Sequence, residues 1–170
     1  YGAIANQGKL QKAKFFSKIV DQNGKVLIDT TEDEATQVMK ESTAYLLTDA
    51  MKESMEANRA FASDVRVTST STRAHFDGMS EAGKSGTTSN NRDIWFIGYT
   101  PYYIAGIWGG CDDNQVLKDA KTGEYNGGTG FHKDIWRKIM SKIHEGKPDI
   151  GFRRPDDIVE AEVCRKSGKL

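Results

Sequence analysis

The run Ala82–Thr88, which reads AGKSGTT, holds the residues of this chain that are best suited to chemistry. Counted back to Gly78, the letters up to Ser85 satisfy G-x-x-x-x-G-K-[ST], the pattern of a phosphate-binding loop. Such a loop must lead directly into a helix, because the N-terminal amides and the dipole of that helix hold the phosphate. The residues that follow are Thr, Ser and Asn, which are poor helix formers. The nucleotide hydrolase that this pattern would indicate is therefore kept only as an alternative.

The same run also reads as a β-strand that presents an ammonium group and hydroxyls to an anion. Because side chains alternate along a strand, Ser85 and Thr87 would share one face, where two hydroxyls could bind one carboxylate. Lys84 would add positive charge to the same anion, and Gly86 would allow a substrate backbone to approach closely. An edge strand with a lysine and several threonines is also ordinary, so a purely structural role stays open at this point.

The segments after this run predict the elements that hold it in place. We expect strands near residues 81–88, 93–100 and 102–109, with Pro101 at the last turn. Residues 94–111 carry no charge, so their length alone would allow a membrane span. Pro101 and the many β-branched and aromatic residues favour a buried hairpin instead.

Two helices are predicted, one before and one after these strands. The first, near residues 42–57, begins at about Glu41, or earlier if Thr31 and Glu34 form a capping box. The second lies near residues 131–144, and its apolar face is formed by Phe131, Ile135, Ile139 and Ile143. Strands and helices in this order predict an α+β fold, an antiparallel sheet packed by helices.

Shorter elements are predicted elsewhere in the chain. Residues 1–8 read as the end of a helix that is capped by its last glycine. Two short strands should flank Asn23–Gly24, because Asn-Gly is the strongest short signal for a hairpin. A glycine-rich loop is expected over residues 123–130.

Composition narrows the class of protein. A chain of 170 residues can build one core, and a net charge of +0 without a basic stripe gives no reason to expect nucleic acid as a partner. Cys111 and Cys164 define no framework and are expected as thiols rather than a disulfide. His75, His132 and His144 have no metal-ligand spacing, so we predict solvated or capping roles for them and neither a metal nor a cofactor.

At this point the sequence resembles a known family. The runs Gly83–Thr88, Trp95–Pro101 and Trp108–Asn114 together look like the last part of a penicillin-binding protein transpeptidase domain, of the bifunctional, class A kind. The agreement extends to Tyr1–Gly8, Ile19–Leu27 and Thr43–Asp49. Each motif alone would be weak, but together they are specific and cover residues 1–145. The resemblance implies the C-terminal portion of a fold that is similar to that of penicillin-binding proteins and serine β-lactamases.

The resemblance also implies an activity and assigns residues to it. In this family a serine in a Ser-x-x-Lys motif attacks the D-alanyl-D-alanine end of a peptidoglycan stem peptide, and an amine of a second stem peptide then resolves the acyl-enzyme. Lys84, Ser85 and Gly86 match the third family motif, usually Lys-Thr-Gly. By this match Lys84 is catalytic and the backbone amide of Thr87 is an oxyanion donor. Substrate binding is assigned to Ser85, Gly86, Thr87 and Thr88.

The chain departs from the family pattern at the nucleophile. No serine stands three residues before a lysine, so the Ser-x-x-Lys motif is absent. Ser89–Asn91 spells the second motif, Ser-x-Asn, but it follows the third motif directly, where the family has a turn. We expect both motifs upstream of Tyr1, and therefore expect this chain alone to be inactive. Residues 1–147 would be the C-terminal part of the transpeptidase domain, and residues 148–170 an extended connector with a short strand between Ile158 and Cys164.

The parent protein implied by the resemblance is a cell-wall enzyme at the outer face of a bacterial membrane, with a membrane anchor and a glycosyltransferase domain upstream. Its partners would be peptidoglycan stem peptides, β-lactams, the upstream half of the same domain and, for this chain alone, further copies of itself. A non-catalytic module that senses β-lactams or binds proteins is the remaining alternative. The residues Gly127, Gly128 and Thr129, with the long 94–108 hairpin, favour the transpeptidase.

Overall fold

The computed structural model describes residues 1–31, 34–56, 59–62, 65–67, 69–119, 122–124, 130–164 and 167–169. Gly127, Gly128 and Thr129, which the sequence assigns to a glycine-rich loop, lie outside the described residues. In chain order the elements are α1 Gly2–Ala5, β1 Lys9–Leu10, β2 Lys18–Val20, β3 Val26–Asp29, β4 Thr36–Gln37, α2 Glu41–Glu53, β5 Arg59–Ala62, β6 Val65–Val67, a 3₁₀ turn Thr72–Ala74, β7 Ala82–Thr87, β8 Asp93–Tyr99, β9 Ile104–Gly110 and α3 Phe131–Ile143.

The central sheet has the order β7-β8-β9, and both of its strand pairs are antiparallel. Across it Ser85 pairs with Phe96, and Trp95 pairs with Trp108. The β8–β9 turn is closed by a 2.9 Å hydrogen bond from the amide of Thr100 to the carbonyl of Tyr103. The predicted α+β fold, its three strands and the hairpin are therefore confirmed. In the described part of the chain, no helix has the length and apolar character that a membrane crossing requires.

Helix α3 packs across one face of this sheet through Trp136 and Met140, which are fully buried. Phe96 from β8 and Met55, which follows α2, are buried in the same core. The indole N–H of Trp136 donates to the carbonyls of Gly98 and Ala105, at 3.3 and 3.1 Å. This bond pair fixes the height of α3 along the sheet, and with it the position of the first turn of α3.

The apolar face predicted for α3 is not the buried one. Phe131, Ile135, Ile139 and Ile143 are 37, 41, 45 and 43% exposed. The positions that face the core are His132, Trp136 and Met140, each one residue further along. Two neighbouring apolar stripes run along this helix, and the sequence periodicity could not tell which of them meets the sheet, because that depends on tertiary packing.

The histidine prediction needs correction at one position. His75 is exposed and follows the 3₁₀ turn as its C-cap residue, and His144 is the C-cap residue of α3, although it is buried. His132 is buried within α3 and has neither of the predicted roles. The Nδ1 of His144 is 2.7 Å from the carbonyl oxygen of Met140, and its Nε2 is 2.8 Å from the Thr100 hydroxyl. The two cysteines are not joined in a disulfide, as predicted.

Three predictions for residues 1–41 can be compared with the structure. Gly8 follows α1 with φ +85° and donates to the carbonyl of Ala3 at 2.7 Å, which confirms a helix end there. The β2–β3 hairpin around Asn23–Gly24 is also confirmed. Helix α2 begins at Glu41, so the earlier start was wrong. Shortly before the helix, Thr36–Gln37 forms β4, which pairs with β1.

The predicted strand between Ile158 and Cys164 is wrong, because residues 149–164 contain no strand in the structure. The first part of this segment packs on the rest of the chain instead of leaving it. The ring of Phe152 stands edge-on to that of Tyr99, with 5.7 Å between the ring centroids. The hydroxyl of Tyr102 donates to the carbonyl of Pro148 at 2.8 Å.

Candidate substrate-binding strand

Strand β7 lies at the edge of the central sheet, and alternate backbone groups point away from the neighbouring strand. The carbonyl of Gly83 accepts a 2.7 Å hydrogen bond from the Ser54 hydroxyl, and that of Ser85 accepts one of 2.7 Å from Lys84 Nζ. Neither donor belongs to β8. By the same alternation the Thr87 N–H points to the outer edge, while the next amide, of Thr88, bonds inward to Asp93 at 3.0 Å. Among the described residues nothing outside the sheet bonds to the Thr87 amide, so the outer edge of β7 presents a backbone donor there.

The side chains of β7 surround this edge with further donors. Ser85 and Thr87 pair with Phe96 and Ile94, so they lie on the face that α3 covers further along the sheet. Lys84 emerges on the opposite face, but its Nζ returns to the edge at the Ser85 carbonyl. An ammonium group, two hydroxyls and a backbone N–H thus meet along a few residues. This arrangement suits a carboxylate or another anion that lies along the strand.

The two glycines of β7 have different surroundings. A Cβ at Gly83 would stand 2.6 Å from the ring of Phe96, so internal packing explains this glycine. A Cβ at Gly86 would make only an ordinary 3.6 Å contact, with Cβ of Trp95. Packing within the chain does not require glycine at position 86, which lies exposed on the edge strand.

Thr88 and the residues after it form the β7–β8 turn. The Thr88 hydroxyl accepts hydrogen bonds from the amides of Arg92 and Asp93, at 3.2 and 2.9 Å. It is thus already engaged in the turn, which weakens the assignment of Thr88 to substrate binding. Asn90 and Asn91 both have left-handed φ angles, 66° and 55°, and the predicted turn at the Ser-x-Asn letters is confirmed.

Two contacts that connect Ser85 to α3 through Thr70 were not found from the sequence. The Ser85 hydroxyl lies 3.4 Å from that of Thr70, and Lys133 Nζ donates to the Thr70 carbonyl at 2.6 Å. Burial lowers the pKa of Lys133, and the positive charges of Arg73 and Lys84 lower it further. No local pattern indicates these contacts, since Lys133 and Thr70 are 63 residues apart in the chain.

A buried carboxyl lies just before β7. Glu81 is 3% exposed, and burial raises its pKa to about 7, against the opposing effect of a hydrogen bond to His75 Nδ1. The amide of Phe76 donates to the same carboxylate oxygen, Oε1, at 3.3 Å. Among the described residues nothing bonds to Oε2. This site directly precedes β7 in the chain.

The structure at residues 78–88 does not fit a phosphate-binding loop. Gly78 lies in a turn, and Ala82–Thr87 is a strand that is followed by a turn and then by β8, with no helix at the position where the phosphate would bind. No group of three metal-ligating side chains occurs in the described ranges.

Comparison with known proteins identifies the family of this chain. A family model described as "Penicillin binding protein transpeptidase domain" matches residues 1–110. The chain belongs to the penicillin-binding protein transpeptidase domain family. A relative, Penicillin-binding protein 1A of Clostridium tetani, is 34% identical over 170 residues, which are 100% of this chain and 20% of that protein.

Solved structures agree with the family at the level of the fold. The PonA1 protein of Mycobacterium tuberculosis in complex with penicillin V has a TM-score of 0.67 at 27% identity, over 93% of this chain and 40% of that one. Penicillin-binding protein 1A of Haemophilus influenzae has a TM-score of 0.74 at 20% identity, over 98% of this chain and 28% of that one. The chain thus spans well under half the length of each of these relatives.

Proposed function

We propose that this chain forms one wall of the active site of a D,D-transpeptidase, in which β7 binds the C-terminal end of a peptidoglycan stem peptide. The observation that carries the proposal is the outer edge of β7, where the Thr87 amide, two hydroxyls and the Lys84 ammonium meet. Membership of the transpeptidase family supports the choice of an acyl-transfer reaction over other chemistry at an anion-binding edge.

Each group on the edge has a role in this proposal. The Ser85 and Thr87 hydroxyls hold the terminal carboxylate, whose charge is matched by Lys84. The Thr87 N–H donates to the oxyanion that develops as the D-alanyl carbonyl is attacked, a stabilisation that acts only as the charge forms. Gly86 leaves room for the substrate backbone to run beside the strand.

The attacking serine is not among these residues. Because the 170 residues contain no Ser-x-x-Lys, the nucleophile and its adjacent base belong to another part of the complete protein. We propose that this complete protein is a penicillin-binding protein 1A type of enzyme, acylated by β-lactams in place of the stem peptide. In this proposal it also carries a glycosyltransferase domain and works at the outer face of a bacterial membrane.

Acylation of the complete protein by a fluorescent penicillin tests this function. Lys84→Ala should lower the acylation rate roughly a hundredfold or more, because a proton-transfer and charge-matching group is lost. Lys25→Ala is the matched control, since Lys25 lies on the exposed β2–β3 hairpin. A wild-type protein that is never labelled, or equal rates in all three proteins, would refute the proposed function.

A further inference from the structure

Lys133 lies in the first turn of α3, and its side chain reaches toward β7. Its Nζ donates to the carbonyl of Thr70, and the hydroxyl of Thr70 meets that of Ser85. A 2.6 Å hydrogen bond and a longer contact of 3.4 Å therefore connect a lysine at the start of the last helix to the Ser85 hydroxyl of the substrate-binding strand. Lys133 is half-buried, Thr70 is exposed, and the lysine stands at the margin of the edge rather than in the core.

The electrostatic surroundings of Lys133 are positive. Arg73 and Lys84 both lie near enough to disfavour its charge, as burial also does. The adjacent carboxylate, Asp134, does not compensate for this, because it is held by Arg73 at 2.8 and 2.5 Å. In the part of the chain that the structure describes, the polar partner of Lys133 is a neutral carbonyl, and no carboxylate forms an ion pair with it.

Burial and like charges disfavour the charged form of an ammonium group, and an anion bound beside it would offset this effect. A negatively charged ligand would stabilise the ammonium form of Lys133. The Ser85 hydroxyl, through Thr70, connects this lysine to the position where that charge would lie.

We propose that Lys133 is a second cationic substrate-binding residue, which acts with Lys84 to select ligands with a free carboxylate next to the Ser85 hydroxyl. The inference rests on the proposed function, because the carboxylate is that of the stem peptide or of a β-lactam. Lys84 approaches this anion from one face of β7, and Lys133 from the face that α3 covers. Thr70 keeps the lysine side chain in place between substrate molecules.

Variants at position 133 in the complete protein separate the effect of the positive charge from that of the hydrogen bond to the Thr70 carbonyl. Lys133→Gln keeps a donor for the Thr70 carbonyl but removes the charge, Lys133→Met removes both, and Lys133→Arg keeps both. Lys138→Met, on an exposed position of the same helix, is the control for surface charge. Thermal melting of each variant shows whether it is folded, and the glutamine and arginine variants keep the test valid if the methionine variant is not.

The measured quantity is the second-order rate constant of acylation by a penicillin and by the methyl ester of the same penicillin. We expect Lys133→Gln to slow acylation by the free acid roughly tenfold, and to leave the rate with the ester unchanged. Lys133→Arg should restore the rate with the acid, and Lys138→Met should not alter it. Equal slowing of acid and ester, or no slowing of either, would overturn the role of Lys133. Absence of acylation in the wild type would instead refute the proposed function.

Discussion

The indole of Trp136 occupies the space that a side chain at Gly98 would need. A Cβ at position 98 would stand 2.6 Å from the Trp136 ring, and the indole N–H donates to the carbonyl of this same glycine. The contact joins the middle of α3 to the central strand β8. It therefore determines where the first turn of α3, with Lys133, lies relative to β7.

Gly98→Ala should destabilise the fold because the new methyl group forces Trp136 outward. We expect a loss of about 1–3 kcal/mol in the free energy of unfolding, measured by urea denaturation. Gly106→Ala is the control, since its Cβ would make only an ordinary 3.5 Å contact with Ile97. Equal stability of both variants would mean that α3 does not rest on β8 in this way.

The buried carboxyl of Glu81 should make stability depend on pH. Its pKa is raised from 4.5 in the unfolded chain to about 7 in the folded one, first by burial. The folded state therefore holds a proton that the unfolded state releases between these values, and stability falls as pH rises from about 4.5 to about 7.

Glu81→Gln removes this ionisation and keeps the shape of the side chain. At pH 8 we expect the variant to be more stable than the wild type by about 1–3 kcal/mol, with the difference shrinking toward pH 5. Denaturation curves at several pH values test this expectation. A constant difference across this range would show that Glu81 does not titrate as its burial implies.

The sheet could be predicted from the sequence because its signals are local. Pro101 between two β-rich runs can form little other than a hairpin, and the turn letters after Thr88 end β7. The shared face of Ser85 and Thr87 is predictable too, since side chains alternate along a strand. These features depend on residues within a few positions of one another.

Contacts between distant parts of the chain could not be predicted in the same way. The pairing of Lys133 with Thr70 depends on the height of α3 over the sheet, which Trp136 sets against Gly98 and Ala105. The buried stripe of α3 was misassigned for the same reason, because both of its apolar stripes satisfy helical periodicity. Tertiary packing determines which of the two stripes is buried.

The hydroxyl of Thr87 should matter for acylation in the complete protein. Thr87→Val keeps the volume but leaves one partner of the substrate carboxylate missing, so we expect a loss of about 1–3 kcal/mol, or roughly ten- to a hundredfold in rate. Ser85→Thr, which restores the usual family residue, should be tolerated or mildly beneficial. Unchanged acylation in the valine variant would mean that this face of the strand does not meet the substrate.

Exposed apolar side chains should make the 170-residue chain self-associate when it is produced alone. The half-exposed stripe on α3 and the pair Trp95 and Trp108 on the other face of the sheet form two apolar surfaces. Burying a few hundred Å² of such surface contributes several kcal/mol at about 25 cal/mol per Å².

Sedimentation of the chain alone would show whether it associates. Ile139→Glu should shift the distribution toward monomer, whereas Lys138→Glu, an adjacent exposed position, should have a smaller effect. A wild-type chain that stays monomeric at high concentration would contradict the expectation.

In the proposed function, β7 forms one wall of an active site whose nucleophile lies outside residues 1–170. The most direct test is to treat the complete protein with a penicillin, digest it, and locate the adduct by mass spectrometry, with the 170-residue chain treated in parallel. We predict one adduct, on the serine of a Ser-x-x-Lys motif outside these residues, and none on the chain alone. A stoichiometric adduct on any serine within residues 1–170 would contradict this location of the nucleophile.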